Sequence, residues 1–545
     1  MVEMERAKQR NITDQLYRVA EAFPEKAAFL HPDKLSFGSL IREIDRYAEG
    51  FREDGIGPET RTIVLITPGI DLFAVTFALF RIGAIPVMID PGMGISRMVD
   101  TLTSVKAEAM VGIPRSHLLR YFFPRKLGTI QCWFSTGFCW FRRGVSLLSI
   151  PYINHCSKAF NMDAEKVAAI FFTSGSTGQP KGVIYSSRML EAQIDILKRR
   201  FGYSGDEIDL CTFPLVGLLL ICMGISIVIA DMDMGHPSRL KPGRIIGNIA
   251  DHGCTHMFCS PMVLKRLSDY GVGKGVKINS LNRVMTAGAP VLPQVLRDFR
   301  ELLNEDAEIH TPYGATEALP VTDIAHKELL VLYENLNVYM GGICVGYPLE
   351  GIDMRIISIS DGPVPSFNDT RILNENEVGE ITICGPVVSE SYWMNKKANK
   401  LAKVYERSTS KVWHRTGDLG RMDQEGRLWF YGRKSQRVES GGKIYFTIPV
   451  EAVFNQHPDV ARAALVGVKK GKLKDKIPVI CIERVKSKKR KIYLYKELRA
   501  LAYENSMTVE IKHFLVHTRF PVDPRHNAKI FREKLSEWAN LKLKL

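Results

Sequence analysis

The chain has 545 residues, a mass of 61.4 kDa and a formal net charge of +15, with 45% hydrophobic and 24% charged residues. It is too long for one small domain and ordinary for a globular protein, so a large core unit plus at least one more is expected. Much of the basic excess lies in Lys469–Arg499, which reads either as a site for an anionic partner such as a membrane surface or an acidic cofactor or as a solvated face; the runs lack interleaved aromatics and any zinc-finger or RNP1-like pattern, which argues against nucleic acid and favours the solvated face.

The first fifteen residues, MVEMERAKQRNITDQ, are polar throughout, so no signal peptide is expected. Apolar runs of strand length then alternate with helical patterns: TIVLITP (62–68), DLFAVTFALFRIG (71–83), AIPVMID (84–90). That alternation predicts parallel strands joined by crossover helices. Residues 118–144 set Arg120, Arg125, Lys126, Arg142 and Arg143 among many aromatics, which reads either as a lipid-headgroup contact or as an irregular loop packed on the body. The apolar run 215–230 is shorter than the roughly 20 residues of a membrane span and is expected in the core.

HMFCS (256–260) and RVMTAGAP (283–290) continue the α/β pattern. Cys254, Cys259, His252 and His256 form the tightest cysteine–histidine cluster, with one loose pair where zinc sites carry two. Buried free thiols in a reducing cytosol are the expectation. Past residue 350 the texture changes to short strands, with a hairpin turn at Gln424–Gly426; the polar stretch KSQRVESGGK then opens a compact tail. The predicted fold class is α/β: a large N-terminal domain (1–433) with parallel sheets flanked by helices and a β-rich subdomain, plus a small mobile α+β C-terminal domain (434–545).

Residues 171–182, FFTSGSTGQPKG, end an apolar run in hydroxyls and glycines. Spacing excludes a Walker A loop, because Gly178 is followed by Gln-Pro-Lys-Gly and then by strand-like GVIY. It is nevertheless a phosphate cradle: Thr173, Ser174, Ser176 and Thr177 offer hydroxyls, Gly175 and Gly178 let backbone N–H groups approach, and Lys181 adds a point charge.

TSGSTGQPKG resembles the signature loop of the adenylate-forming (AMP-binding) superfamily, and six further motifs follow in that family's order: TAGAP (286–290), TPYGATEALP (311–320), GEITICGP (379–386), HRTGDLG (414–420), FYGRKSQRV (430–438) and RHNAKIFR (525–532). The resemblance implies attack of a carboxylate on the α-phosphate of ATP, giving acyl-AMP and pyrophosphate, with Mg²⁺. It implies that Thr173–Gly182 closes on the β- and γ-phosphates and that Gly288, Ala289 and Pro290 line the adenine site. Tyr313, beside Gly314, stacks on adenine; Thr316 bonds the α-phosphate and Glu317 holds the metal. Asp418 takes the ribose hydroxyls with Arg433 as its partner. Lys529 bridges carboxylate and α-phosphate as the catalytic lysine, with Ala528 where the family usually has glycine. Ser435 stands where family members carry the Asp or Lys of the interdomain hinge.

The finer match of IDPGMG (89–94), TPYGATEALPV (311–321) and VDPRHNAKIFREKL (522–535) resembles the β-lactone synthetases of bacterial long-chain olefin biosynthesis. It implies a fatty or 2-alkyl-3-hydroxy fatty acid whose own hydroxyl expels AMP, in a cytoplasmic enzyme working with other enzymes of that pathway. Alternatives are a fatty acyl-CoA ligase, with Gly441 and Gly442 near the pantetheine path, and a non-catalytic nucleotide-binding scaffold.

Overall fold

In the computed structural model, residues 11–89, 93–139, 144–153, 158–173, 180–335, 341–409, 411–469, 475–485, 491–522 and 530–543 are described. Two seven-stranded sheets form the body. The first runs, in spatial order, Val145–Ser146, Cys132–Ser135, Ala109–Gly112, Arg61–Leu65, Ile85–Ile89, Val167–Thr173 and Lys181–Ser186. All pairings are parallel except the last, where Val167–Thr173 and Lys181–Ser186 form an antiparallel hairpin. The loop expected to cradle phosphate therefore does join two strands. Its residues 174–179 lie outside the described residues.

The second sheet orders Glu308–His310, Arg283–Thr286, His256–Cys259, Ile208–Cys211, Ser226–Ile229, Ala27–His31 and Leu35–Ser36, again parallel up to its antiparallel edge. The helix Ile70–Arg81 is buried along most of its length, because it crosses over inside the body. The run 215–230 divides into the end of a core helix, Pro214–Ile221, and a strand, Ser226–Ile229, both lined by buried residues. Among the described residues, no helix is long and apolar enough to cross a membrane. In the cysteine–histidine cluster, His256 is committed to Asp209 (2.6 Å) and Tyr203 (2.8 Å). Burial pushes the Cys254 and Cys259 thiols up to about 12, so both behave as inert core residues.

The third sheet is eight-stranded and antiparallel, and it begins earlier than the texture of the sequence suggests: Tyr313–Ala315, Ala318–Asp323 and Ile343–Pro348 belong to it, together with the strands after residue 350. The hairpin Val412–Met422/Leu428–Arg433 carries the predicted turn, held by Asp423, which accepts from the Glu425 and Arg427 amides and from the Trp429 indole.

After Arg433 come a two-stranded hairpin, Val438–Ser440/Lys443–Tyr445, a three-stranded sheet (Val460–Lys469, Lys476–Arg484, His513–His517) and helices Thr447–Asn455, Lys491–Tyr503 and Arg532–Leu543. Two apolar clusters there draw only on residues from Val438 onward, the pattern of a unit with its own core. The connecting segment is tied to the body by charge. Glu380, 1% exposed, accepts from Arg415 (2.6 Å) on one oxygen and from Lys434 (2.7 Å) on the other, while Arg437 pairs with Asp361 at 2.7 Å. Losing one member of a buried charged hydrogen-bond network costs about 2 kcal/mol. Lys434→Met is expected to lower unfolding stability by about that amount; urea denaturation measures it, and an unchanged midpoint would show that the contact is idle.

Candidate active site

Four pieces of backbone meet where the hairpin of the first sheet touches the third sheet. The chain turns at Thr316–Glu317 between paired residues Ala315 and Ala318. Gly314 is required there: a Cβ would stand 2.8 Å from the Ala318 carbonyl on the returning strand. Tyr185, on the strand after the phosphate loop, donates to the Thr316 carbonyl at 2.7 Å, and Gln193 donates to Leu319 O at 2.9 Å. These bonds fix the Thr316–Glu317 turn against the strand Lys181–Ser186 and the helix that follows it.

Asp418 and Arg433 face each other because of a bulge. The hairpin pairs Met422 with Leu428 and Gly420 with Phe430; one extra residue, Tyr431, then shifts the register, so that Asp418 lies opposite Arg433 instead of Gly432. Gly420 permits the kink, since a Cβ there would meet the Trp429 carbonyl at 2.5 Å. Asp418 is 4% exposed and its Oδ1 lies 3.0 Å from Arg433 Nη1; the Tyr313 hydroxyl donates to Oδ2 at 2.7 Å. Burial raises the Asp418 carboxyl, with Arg433 and Tyr313 opposing, and the facing carboxylate raises Arg433. Burial and Asp418 lift the Tyr313 phenol well above its usual value, so it stays a donor. Asp418 Oδ1 accepts no hydrogen bond among the described residues despite its burial. A buried acceptor left open in this way suits a sugar hydroxyl.

Glu317 is held from a direction the sequence did not reveal. The segment 389–393 runs beside Lys181–Ser186, with Val183 bridged to Tyr392 and the Trp393 amide donating to Gly182 O at 2.7 Å. At its start, the Ser389 amide donates to the Glu317 carbonyl at 2.8 Å. Tyr392, 3% exposed, donates its hydroxyl to Glu317 Oε1 at 2.8 Å. Its ring lies between two ammonium groups, Lys181 at 5.0 Å and Lys403 at 5.3 Å from the centroid. Lys403, 5% exposed, donates to the Ser389 carbonyl. One oxygen of Glu317 is thus committed, and the other has no protein partner among the described residues. An oxygen-only, anionic ligand of this kind fits a hard divalent cation such as Mg²⁺.

Tyr392→Phe removes the hydroxyl that orients Glu317 while keeping the ring. We expect the Mg²⁺ requirement to rise roughly 10-fold, the lower end for losing such an outer contact; a magnesium titration of ATP binding reads it, and an unmoved midpoint would contradict the positioning role. Burial pulls the Lys403 ammonium down to about 7, with Glu317 and Glu390 opposing and Lys181 reinforcing. Between that value and the ordinary lysine range the unfolded chain carries a proton here that the folded protein does not, so stability rises with pH across the window. Lys403→Met should flatten the rise between pH 7 and 9 in urea unfolding; equal slopes in both proteins would refute the assignment.

The remaining expected residues divide clearly. Gly288 has φ +91°, a left-handed turn directly after the strand Arg283–Thr286, with Ala289 and Pro290 following on the surface side. Thr173 ends its strand and Lys181 begins the next, paired across the hairpin. Ser174, Gly175, Ser176, Thr177, Gly178 and Lys529 lie outside the described residues. The flanks of the lysine segment are nevertheless adjacent: Val522 bridges Ile530, the Phe531 amide donates to Pro521 O at 2.8 Å, and Arg532 grips buried Glu451 at 2.6 Å.

The family model for AMP-binding enzymes matches residues 16–393. The chain belongs to that family. This AMP-binding enzyme is similar to an olefin beta-lactone synthetase of Stenotrophomonas maltophilia, 38% identical over 558 aligned positions and covering 98% of each chain. Its fold is similar to that of an amide bond synthetase, McbA, from Marinactinospora thermotolerans, with TM-score 0.79 at 21% identity, covering 97% of this chain and 100% of the other. It is similar also to O-succinylbenzoate coenzyme A synthetase from Bacillus subtilis, solved in complex with ATP and magnesium ion, with TM-score 0.74 at 19% identity, covering 97% and 99%. The expected fold class, a large α/β body with a small C-terminal α+β unit, is borne out. These two structures differ in their named activities, so the shared fold leaves the acyl acceptor open.

Proposed function

We propose that the protein adenylates a 3-hydroxy fatty acid and then closes it to a β-lactone, releasing AMP. The observation that carries this reading is the 38% identity running through 98% of both chains to an olefin beta-lactone synthetase, on a site whose residues fit a nucleotide. Asp418 Oδ1 receives a ribose hydroxyl and Arg433 holds that carboxylate in place. Tyr313 gives adenine a face to stack on, and the Gly288–Pro290 turn lines its edge. Thr316 donates to the α-phosphate, while the Thr173–Gly182 hairpin with Lys181 holds the β- and γ-phosphates. The open oxygen of Glu317 would hold Mg²⁺, which when bound would supply charge neutralisation for the phosphates.

The acid's carboxylate oxygen attacks the α-phosphorus, and the bond from that phosphorus to the bridging oxygen breaks, so pyrophosphate leaves with the electron pair. Two anions must meet for this, and Lys529 neutralises them as they approach. The substrate's 3-hydroxyl oxygen then attacks the acyl carbon, AMP leaves with its oxygen, and the hydroxyl proton is lost. Ring closure needs no external thiol. We place the boundary of the mobile C-terminal domain at residues 433/434, so that rotation about Lys434–Arg437 carries Lys529 toward the body. The resemblance also supports association with the other enzymes of olefin biosynthesis.

Incubation with ATP, Mg²⁺ and a panel of fatty and 3-hydroxy fatty acids, with and without coenzyme A, tests the reading. A lactone and AMP are expected from 3-hydroxy acids alone. A strict coenzyme A requirement on that substrate would move the assignment to an acyl-CoA ligase, and nucleotide binding without turnover would move it to a scaffold.

A further inference from the structure

Between Glu108 and Asp163 the sequence contains no aspartate or glutamate, while it contains seven lysines and arginines and ten aromatic residues. In the structure, three connections of this segment follow neighbouring strands and meet at one rim of the sheet. Strands Ala109–Gly112, Cys132–Ser135 and Val145–Ser146 are parallel neighbours at the edge of the first sheet, so their carboxyl ends open on the same side. Within ten residues of those ends come Leu118 and Phe122, then Phe138, then Leu148 and Tyr152, exposed by 45%, 73%, 72%, 70% and 66%. The three connections touch: a Cβ on Gly137 would lie 3.2 Å from the Pro114 ring, and Ser146 donates to the Gly137 carbonyl at 3.1 Å. Large side chains at this exposure, contributed by three successive loops, go beyond the scattered apolar residues of an ordinary surface.

Charge decides what covers the rim. Arg115 and Arg125 are exposed and make no ion pair among the described residues. Two carboxylates reach the area from neighbouring elements and both are engaged, Asp100 with Lys126 at 2.5 Å and Glu43 with Arg46 at 2.5 Å. A face with aromatic and leucine side chains, free arginines and no carboxylate of its own has the composition of an interfacial lipid anchor. A protein partner would find no acidic groups here with which to set register. The strand Val167–Thr173, which leads into the serine–threonine loop, points its carboxyl end to the same side of the sheet.

We propose that this rim docks on an anionic phospholipid surface, its apolar side chains entering the headgroup boundary and its arginines meeting negative headgroups. The proposal stands on the rim alone and is independent of which acid is adenylated. The test is flotation of the full chain with phosphatidylcholine vesicles and with vesicles of phosphatidylcholine and phosphatidylglycerol at 3:1. Binding to the anionic vesicles, weakened by added salt, is expected. Each arginine near such a surface contributes about fivefold in partitioning, so Arg115→Ser with Arg125→Ser should lower it about 25-fold. Phe122→Ser with Leu148→Ser, also at exposed positions, should weaken binding to both vesicle types; an unchanged thermal midpoint verifies that the variants fold. Equal partitioning onto neutral and anionic vesicles, binding to neither, or partitioning untouched by both double variants would overturn the proposal. So would retention that needs a protein extract and not lipid.

Discussion

Lys529→Ala is expected to lower the rate of acyl-adenylate formation about 10²–10³-fold, the loss that follows when one preorganised donor to a developing anion is removed. The reason is electrostatic. A carboxylate and a triphosphate repel, and the other basic side chains described at the site have contacts of their own: Arg433 lies 3.0 Å from Asp418, Lys181 lies 5.0 Å from the Tyr392 ring centroid, and Lys403 is buried against Ser389 and the same ring. ATP binding should be little changed, because the ribose, adenine and phosphate contacts proposed above all lie on the body. Pyrophosphate release measured under saturating ATP reads the effect, and equal rates in the variant and the parent would discredit the lysine.

Glu317→Gln should cost roughly 100-fold in turnover and raise the magnesium requirement, since a metal's stabilisation of the leaving group is worth several kcal/mol. The amide keeps the bond from Tyr392 on its oxygen but presents an N–H₂ donor where the cation needs an anionic oxygen. A magnesium titration followed by isothermal calorimetry with a non-hydrolysable ATP analogue separates metal binding from chemistry. An unaltered titration would place the metal on another ligand.

The α/β alternation and the turn at residues 424–426 were legible because each rests on local periodicity or on glycine and polar-residue placement, and the motifs were legible through their resemblance to those of the adenylate-forming family. The antiparallel sheet was read as starting too late. Its first strands, Tyr313–Ala315 and Ala318–Asp323, are short and continue directly from a parallel strand, Glu308–His310, so the change of sheet leaves no mark in hydropathy. Asp418 and its partner Arg433 were both recognisable from their motifs, but the register that sets them opposite each other depends on one extra residue in a ladder, which only Gly420 and Gly432 hint at. Tyr392 lies just beyond a recognised motif and acts through a contact 75 residues away in the chain, which no pattern encodes. Lys403 did leave a signal. A lysine inside Leu401-Ala402-Lys403-Val404 must either snorkel to water or find an acceptor inside, and here it finds Ser389.

The most direct measurement of the central claim is the fate of oxygen. A 3-hydroxy fatty acid labelled with ¹⁸O in its carboxylate should give AMP carrying one labelled oxygen and a lactone retaining the other in its carbonyl, without coenzyme A. Unlabelled AMP, or label in inorganic phosphate, would contradict carboxylate attack on the α-phosphorus and with it the assignment of this site.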